Sequence, residues 1–139
     1  MTIQREVAQR ICAAPGDMSL LALSVQVFGT PKIVAKIPAG AFYPVPNVDS
    51  AVIRVDLYPE PVVPQSSLDD FFRLSKAGFG QKRKMLRKSL AAGLSWQVGQ
   101  VEDLLNDCGI EPTRRAETLS MEEWAILTRE YNRRKNDLV

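Results

Sequence analysis

Three prolines, Pro59, Pro61 and Pro64, fall within six residues near the middle of this 139-residue chain. Proline fixes the backbone angle φ and removes an amide donor, so neither a helix nor a central strand continues through such a segment. The segment 59–66 therefore predicts a linker between two units. Residues 1–58 mix helical and strand patterns, whereas every pattern in residues 67–139 is helical.

The N-terminal unit predicts two helices and two strands. Apolar residues recur at helical spacing over 4–13 and 18–28, and the apolar run 33–37 predicts a short strand. Residues 51–58 alternate in the manner of a half-buried strand. The residues expected on its buried face are Ala51, Ile53, Val55 and Leu57. Two strands do not make a self-sufficient sheet, so we expect them to belong to a larger one.

The C-terminal unit predicts a small all-α domain. Ser67 is a candidate N-cap for its first helix, and a later run of apolar residues at helical spacing stops at Gly109. Ser120 and Glu123 have the spacing of a capping box, in which two side chains satisfy backbone N–H groups at the start of a helix. The predicted fold class is therefore α+β, with the sheet confined to the N-terminal unit.

Composition excludes several kinds of chemistry. The chain has no histidine, which excludes, within these residues, a Ser-His-Asp or Cys-His catalytic site and a histidine-ligated metal. Its two cysteines, Cys12 and Cys108, lack the spacing of a metal or redox site. We therefore predict no metal site and buried free thiols in a reducing, cytoplasmic compartment. No apolar run approaches the roughly 18 residues of a membrane span, so we expect no membrane partner.

The window 73–88 carries seven basic residues and no acidic one, although the net charge of the chain is only +2. On a helix over 82–91, four cations fall within an arc of about 140°, opposite an apolar side. These cations are Arg83, Lys84, Arg87 and Lys88. Two flanking glycines, Gly78 and Gly80, are expected to let the backbone turn sharply into this helix.

Two interpretations of this basic helix remain. It is either a solvated helix face or a surface that binds nucleic-acid phosphates. The absence of any acidic residue favours phosphate binding, because solvated faces usually mix charges of both signs. The signal does not separate RNA from DNA, and a helix-turn-helix stays open.

The loop between the two predicted strands places Phe42 and Tyr43 beside Pro44 and Pro46. Prolines stiffen a loop, and a rigid aromatic ring at a strand end can stack on an unpaired base. The residues alone leave open whether Phe42 stacks on a base or packs the loop onto the core.

Four segments, in order along nearly the whole chain, carry a more specific signal. They are Gln4-Arg5-Glu6-Val7-Ala8-x-Arg10, Phe42-x-Pro44-x-Pro46-x-Val48-Asp49-Ser50-Ala51-Val52, Phe79-x-Gln81-Lys82-Arg83-Lys84-x-Leu86-Arg87, and Gly109-Ile110 followed by Arg114-Arg115-Ala116-Glu117-x-Leu119-Ser120. Together they resemble the rRNA adenine N6-dimethyltransferases, and within that family the bacterial small-subunit enzymes of the kasugamycin-sensitivity type.

The resemblance implies a Rossmann-like methyltransferase domain that uses S-adenosylmethionine, followed by a small helical domain. Residues 1–58 would then be the last two strands and flanking helices of the methyltransferase domain, and 67–139 the rRNA-binding domain. The glycine-rich cofactor loop and the Asn-Leu-Pro-Tyr motif of the family are absent from this sequence. We therefore expect a C-terminal part of the enzyme that binds no S-adenosylmethionine and contains no catalytic residue of its own.

The resemblance also assigns roles to particular residues. Phe42 would stack on the target adenine, and Pro44 and Pro46 would shape its pocket. The cations expected to hold rRNA phosphates are Lys82, Arg83, Lys84, Arg87 and Lys88.

The implied partner is small-subunit rRNA within a pre-30S particle. We also expect that exposed strand edges could drive dimerisation. Two alternatives stay open: a free-standing RNA-binding or ribosome-assembly module, and the related large-subunit methyltransferase that confers macrolide resistance.

Overall fold

A computed structural model of the protein describes residues 1–41, 44, 48–81 and 83–137, without the side chains of 136 and 137. Three strands and six helices make up the described fold. In chain order they are β1 (Thr2–Gln4), α1 (Arg5–Ile11), α2 (Leu20–Gln26), β2 (Gly29–Ile37), β3 (Ser50–Leu57), α3 (Leu68–Gly80), α4 (Leu86–Leu94), α5 (Val98–Asp107) and α6 (Met121–Asp137). The predicted α+β class is confirmed, with a sheet in the N-terminal part and helices alone after it.

The sheet has three strands, so the prediction of two was wrong. The strand order is β1-β3-β2, and both outer strands run antiparallel to β3. The missed strand β1 has only three residues, too few for an alternation to register in the sequence. Strand β1 pairs with the edge of β3 that β2 leaves open. Strand β3, with its alternating apolar residues, is therefore the central strand of the sheet.

Strands β2 and β3 form a long hairpin, and the segment 38–49 that connects them contains Phe42 and Tyr43. We call this connection the aromatic loop. Strand β2 begins at Gly29, four residues earlier than predicted, because its first half pairs with the end of β3. A bulge places Val34 out of register, between Ile33 and Ala35, and such a bulge increases the local twist. Leu57, predicted to be buried, is 74% exposed because it lies at the end of β3, beyond the apolar cluster under the sheet.

Helix α1 covers one face of the sheet and forms a small core. Ala8 and Ile11 of α1 are buried against Ala51 and Ile53 of β3. Residues three apart lie on one face of the helix, and residues two apart lie on one face of the strand, so these two faces pack against each other. This packing fixes the direction in which the β2–β3 hairpin projects.

A larger core fills the helical part and continues across the proline-rich segment. Leu23 and Val27, from α2 and its end, belong to the same buried cluster as Phe71 of α3 and Trp124 of α6. Val63, inside the predicted linker, is 1% exposed and joins this cluster. The boundary at 59–66 stays a prediction, but Val63 anchors this mostly exposed segment in the core that α2 and α3 share.

The helix ends follow some sequence signals and not others. The capping box is confirmed, because the Ser120 Oγ accepts from the Glu123 N–H at 3.1 Å and the Glu123 carboxylate accepts from the Ser120 N–H at 2.9 Å. Gly109 adopts φ of +74° just after α5, as a helix-terminating glycine does. Ser67 precedes α3, but its side chain makes no cap hydrogen bond.

The glycines at 78 and 80 do not form the predicted sharp turn, since both lie within α3. A Cβ at Gly78 would lie 2.9 Å from the Cη2 of Trp124. This glycine therefore allows α6 to approach α3 closely. The ring of Trp124 also stacks on Phe79, with the ring centroids 5.9 Å apart.

Both cysteines are free, but the prediction that they are buried was only partly right. Cys12 and Cys108 are partly exposed. Burial nevertheless raises the pKa of the Cys12 thiol and, with smaller electrostatic effects, raises the pKa of Cys108 to about 11. Within the described ranges, no helix is long and apolar enough to cross a bilayer.

Candidate nucleic-acid interface

The predicted basic helix is a turn followed by a helix. Helix α3 ends at Gly80 and α4 begins at Leu86, so Arg83 and Lys84 lie in the connection. The N–H of Lys84 donates to the Gln81 carbonyl at 2.9 Å and closes this turn. We call Arg83 and Lys84 the basic turn. The prediction that α4 starts at residue 82 was therefore wrong.

The late start of α4 has a tertiary cause. The N–H groups of Leu86 and Arg87 donate to the carbonyl oxygens of Arg114 and Pro112, at 2.7 and 3.2 Å. The first N–H groups of a helix have no partner within the helix. Here a loop 25 to 28 residues further along the chain supplies the acceptors, so the basic turn is held against that loop.

Three of the predicted RNA-binding cations face solvent together. Arg83 and Lys84 in the basic turn, and Lys88 in the first turn of α4, are all exposed. Among the described residues, none of the three has an acidic partner. Lys82, which was predicted with them, lies outside the described residues. Unpaired cations clustered on one surface create the positive potential that attracts a phosphate backbone.

Arg87 differs from the other predicted cations. Its Nη1 atom is 3.6 Å from the Oε1 atom of Glu102 on α5, and both side chains are partly exposed. Its Nε atom is buried without a hydrogen-bond partner among the described atoms. The structure therefore turns Arg87 partly toward α5, away from the free cations.

Arg115 is a further surface cation to which the sequence assigned no role. It directly follows Arg114, whose carbonyl accepts from Leu86 at the start of α4. Arg115 is exposed, and the described part of the chain gives it no acidic partner. In the sequence, the adjacent pair Arg114-Arg115 could have indicated a second group of cations. Only the tertiary contact between Leu86 and Arg114 places Arg115 beside the basic turn.

Arg114 has a structural role that separates it from its neighbour. Its guanidinium pairs with the Glu123 carboxylate, with Nη2 3.0 Å from Oε1, and donates to the Thr118 carbonyl at 2.6 Å. This pairing, with burial opposing it, lowers the pKa of Glu123. The loop that caps α4 is thereby fixed to the start of α6. The position of Arg115 depends on that attachment.

The aromatic loop is anchored at its base by Asp49. One carboxylate oxygen accepts from the Ala39 N–H at 2.9 Å, and the other lies 3.3 Å from Nη1 of Arg5. The Arg5 N–H also donates to the Asp49 carbonyl at 2.9 Å. Asp49 thus joins both ends of the loop to the start of α1. The sequence motif contained this residue without indicating its role.

Two of the three residues predicted for the base pocket, Phe42 and Pro46, lie outside the described residues. Pro44 is exposed. The pocket therefore stays a prediction, supported by a loop whose base is fixed.

The described residues supply no candidate metal site, because no group of three or more metal-ligating side chains comes together among them. Strand β1 passes directly into α1 at Arg5, without the glycine-rich loop that lets a nucleotide approach the backbone.

A family model described as ribosomal RNA adenine dimethylase matches residues 1–133 of the chain. The chain belongs to the ribosomal RNA adenine dimethylase family. Among its curated relatives, the ribosomal RNA small subunit methyltransferase A of Dehalococcoides mccartyi is 50% identical over 129 residues, which are 93% of this chain and 44% of that protein. The protein of the same name from Alkaliphilus metalliredigens is 41% identical over 136 residues, 96% of this chain and 47% of that one. This dimethylase-family chain thus spans less than half the length of these relatives.

Solved structures show the fold of the dimethylase-family chain. A dimethyladenosine transferase from Plasmodium falciparum matches 96% of this chain and 56% of its own, with a TM-score of 0.74 at 20% identity. The 23S rRNA methyltransferase ErmE matches 95% of this chain and 53% of its own, with a TM-score of 0.66 at 24% identity. At these identities the likeness concerns the fold, which is that of rRNA methyltransferases.

Proposed function

We propose that this chain is the RNA-docking part of an rRNA adenine N6-dimethyltransferase that dimethylates two adjacent adenines near the 3′ end of small-subunit rRNA. The observation that carries the proposal is the group of exposed, unpaired cations at the α3–α4 connection, in a chain of this family. Arg83, Lys84 and Lys88 supply the charge, and Arg115 extends it across the capping loop. A surface of this kind binds phosphates irrespective of base sequence and so positions the RNA.

The aromatic loop would hold the target base. In this proposal Phe42 stacks on an adenine turned out of its helix, and Pro44 and Pro46 shape the pocket. Stacking of a base on an aromatic ring contributes about 1–3 kcal/mol. The Asp49 anchor supports this role, because a fixed loop base lowers the entropy lost when the loop closes on RNA.

The cofactor would be held by a part of the full-length protein outside this chain. S-adenosylmethionine supplies the methyl group in this family, and the residues present here lack the loop that would bind it. The chain by itself is therefore proposed to be inactive. Its own residues would orient the base and exclude water, and such positioning accounts for much of the rate enhancement in reactions of this kind.

Two features favour the small-subunit type over the large-subunit alternative. The relatives from Dehalococcoides mccartyi and Alkaliphilus metalliredigens, at 50% and 41% identity, are named small subunit methyltransferases, whereas the 23S rRNA methyltransferase is 24% identical in its matched region. Pre-30S particles in the cytoplasm are the corresponding proposed partner. A free-standing RNA-binding module is the remaining alternative, and an in-frame upstream sequence containing the cofactor and Asn-Leu-Pro-Tyr motifs would exclude it.

Dimerisation through a strand edge is a further part of this proposal. The outer edges of β1 and β2 have no strand partner in the described sheet, and unpaired edges invite pairing with another chain. Light scattering at high protein concentration tests it, since a strictly monomeric mass contradicts strand-edge pairing.

The central experiment measures binding of the full chain to a small-subunit rRNA transcript over a salt series. The test variant changes Arg83 and Lys84 to Ala, and the control changes the exposed β2 cations Lys32 and Lys36 to Ala. Each lost phosphate contact reduces the slope of log affinity against log salt by about 0.7–0.9. We expect a loss of nearly two such contacts in the test variant and no change in the control. Equal binding by wild type and test variant would refute the docking role.

A further inference from the structure

An open groove runs beside the basic turn, along the crossing of α3 and α4. The two helices approach closely at Ala77 and Gly93, since a Cβ on Gly93 would lie 2.3 Å from the Cβ of Ala77. This close contact forms the floor of a groove of about 230 Å³ on one side of the crossing. We call it the Lys76 groove. The residues of interest along it are Lys76, Ala77, Gly80, Gln81, Ser89 and Gly93.

Among the described residues, the Lys76 groove contains a positive charge and no acidic side chain to neutralise it. Lys76 is exposed, and the described residues give it no acidic partner. None of the described residues that line this groove is acidic. On the other side of the crossing, a second groove also contains Lys76, but there Asp69 contributes a negative charge. An anion is therefore favoured in the Lys76 groove.

Gly80 leaves space that the fold does not require. It is the last residue of α3, its φ lies outside the left-handed region, and a Cβ there would meet nothing within 4 Å. Alanine is a better helix former than glycine, so the helix itself does not require a glycine at this position. The missing side chain instead keeps the wall of the groove low beside Lys76, which suits the approach of a bulky sugar-phosphate backbone.

The Lys76 groove is continuous with the basic turn. Gln81 lines the groove, and its carbonyl accepts the hydrogen bond from Lys84 that closes the turn. Ala92, on the same groove wall, lies one helical turn from Lys88. A chain of phosphates that leaves the basic turn can therefore pass along the groove without crossing an acidic side chain among the described residues.

We propose that the Lys76 groove is a second phosphate-binding site, in which Lys76 holds the RNA backbone as it continues past the basic turn. The proposal rests on the proposed RNA-docking function and adds a direction to it. The RNA strand would run from the Arg83–Lys84 connection along the α3–α4 crossing, toward the side on which Lys76 lies.

The test uses the full chain, a small-subunit rRNA transcript and three single variants. Lys76→Gln removes the charge, Gly80→Gln fills the groove with a helix-compatible side chain, and Lys32→Gln on β2 is the matched control. We expect Lys76→Gln to weaken binding about threefold and to reduce the salt slope by about 0.7–0.9, the effect of one phosphate contact. Gly80→Gln should weaken binding while the unfolding midpoint stays equal or rises, and Lys32→Gln should bind as wild type does.

Several outcomes would overturn the proposal, and they separate it from the function on which it rests. If both groove variants bind like wild type while Arg83→Ala/Lys84→Ala loses affinity, the groove is not a phosphate site and the docking function stands. If that double variant also binds like wild type, both proposals fail. If Lys76→Gln weakens binding to polyglutamate but not to rRNA, the groove belongs to an acidic protein partner instead.

Discussion

Asp49 accepts a hydrogen bond from the N–H of Ala39 at 2.9 Å across the base of the aromatic loop, ten residues away in the sequence. The same carboxylate pairs with Arg5 at 3.3 Å. Asp49 therefore joins three segments: the end of β2, the start of β3 and the start of α1.

We expect Asp49→Ala to lower the free energy of unfolding by about 1 kcal/mol, because the Ala39 N–H loses a charged acceptor that is only partly exposed. Amide hydrogen exchange at Ala39 should accelerate. The matched control is Asp56→Ala, whose carboxylate contacts only the exposed Arg54 two residues away among the described residues, and which should change stability by less than about 0.5 kcal/mol. Equal effects of the two substitutions would contradict the anchor.

The close crossing of α3 and α4 makes Gly93 intolerant of a side chain. In Gly93→Ala the new methyl would collide with Ala77, and relief of such overpacking costs about 1–3 kcal/mol. Gly99 in α5 offers a matched control, since a Cβ there meets nothing within 4 Å. Gly99→Ala should be neutral or stabilising by up to about 1 kcal/mol. Urea denaturation of both variants tests this, and it counts against the crossing if Gly93→Ala is as stable as wild type.

The Arg114–Glu123 pair predicts a pH dependence of stability. Hydrogen bonding from Arg114, opposed by burial, lowers the pKa of Glu123 below its ordinary value of 4.5. A lowered carboxyl pKa in the folded state stabilises the fold above the ordinary value, and this contribution is lost as the pH falls through the folded pKa. Between about pH 6 and pH 3, wild type should therefore lose more stability than Glu123→Gln, in which no carboxyl titrates at this position.

Thermal unfolding at a series of pH values measures this difference. Glu123→Gln retains an oxygen that can accept from the Ser120 N–H, so the capping hydrogen bond is largely preserved while the charge is removed. Parallel stability curves for wild type and Glu123→Gln would show that the pair makes no contribution that depends on ionisation.

Cys108 should react slowly with alkylating reagents. Burial, together with the nearby negative charge of Glu130, raises its thiol pKa to about 11. At pH 8 only about one thiol in a thousand is then the reactive thiolate. Iodoacetamide labelling followed by mass spectrometry should show slow modification of Cys108 in the native chain and fast modification in denaturant. A native rate equal to that of a free cysteine would contradict the raised pKa.

Signals confined to a few neighbouring residues were read correctly from the sequence. The capping box at Ser120 and Glu123, the helix stop at Gly109 and the buried positions Ala51 and Ile53 of β3 are all present in the fold. Each depends on contacts within one turn or on the two-residue period of a strand. The family also followed from the sequence, because four motifs in a fixed order are far more specific than any one of them.

The errors arose where distant segments decide the local structure. Strand β1 is too short to show a period and exists because β3 pairs with it. Helix α4 begins at Leu86 because carbonyl groups of the 112–114 loop accept its first N–H groups. The acid-free window 73–88 correctly predicted a positively charged surface. The prediction that its cations share one helix face was wrong, because Arg83 and Lys84 lie in the connection before α4.

The sequence by itself determined the α+β class, the positive charge near the α3–α4 connection and the family, since these depend on residue type and short spacings. Only the tertiary structure decided which cations stay free. It paired Arg114 with Glu123, turned Arg87 toward Glu102, and left Arg83, Lys84, Lys88 and Arg115 exposed. The physical reason is that a charge is neutralised by whatever side chain folding brings within a few ångströms, and that distance is set by packing between helices far apart in the chain.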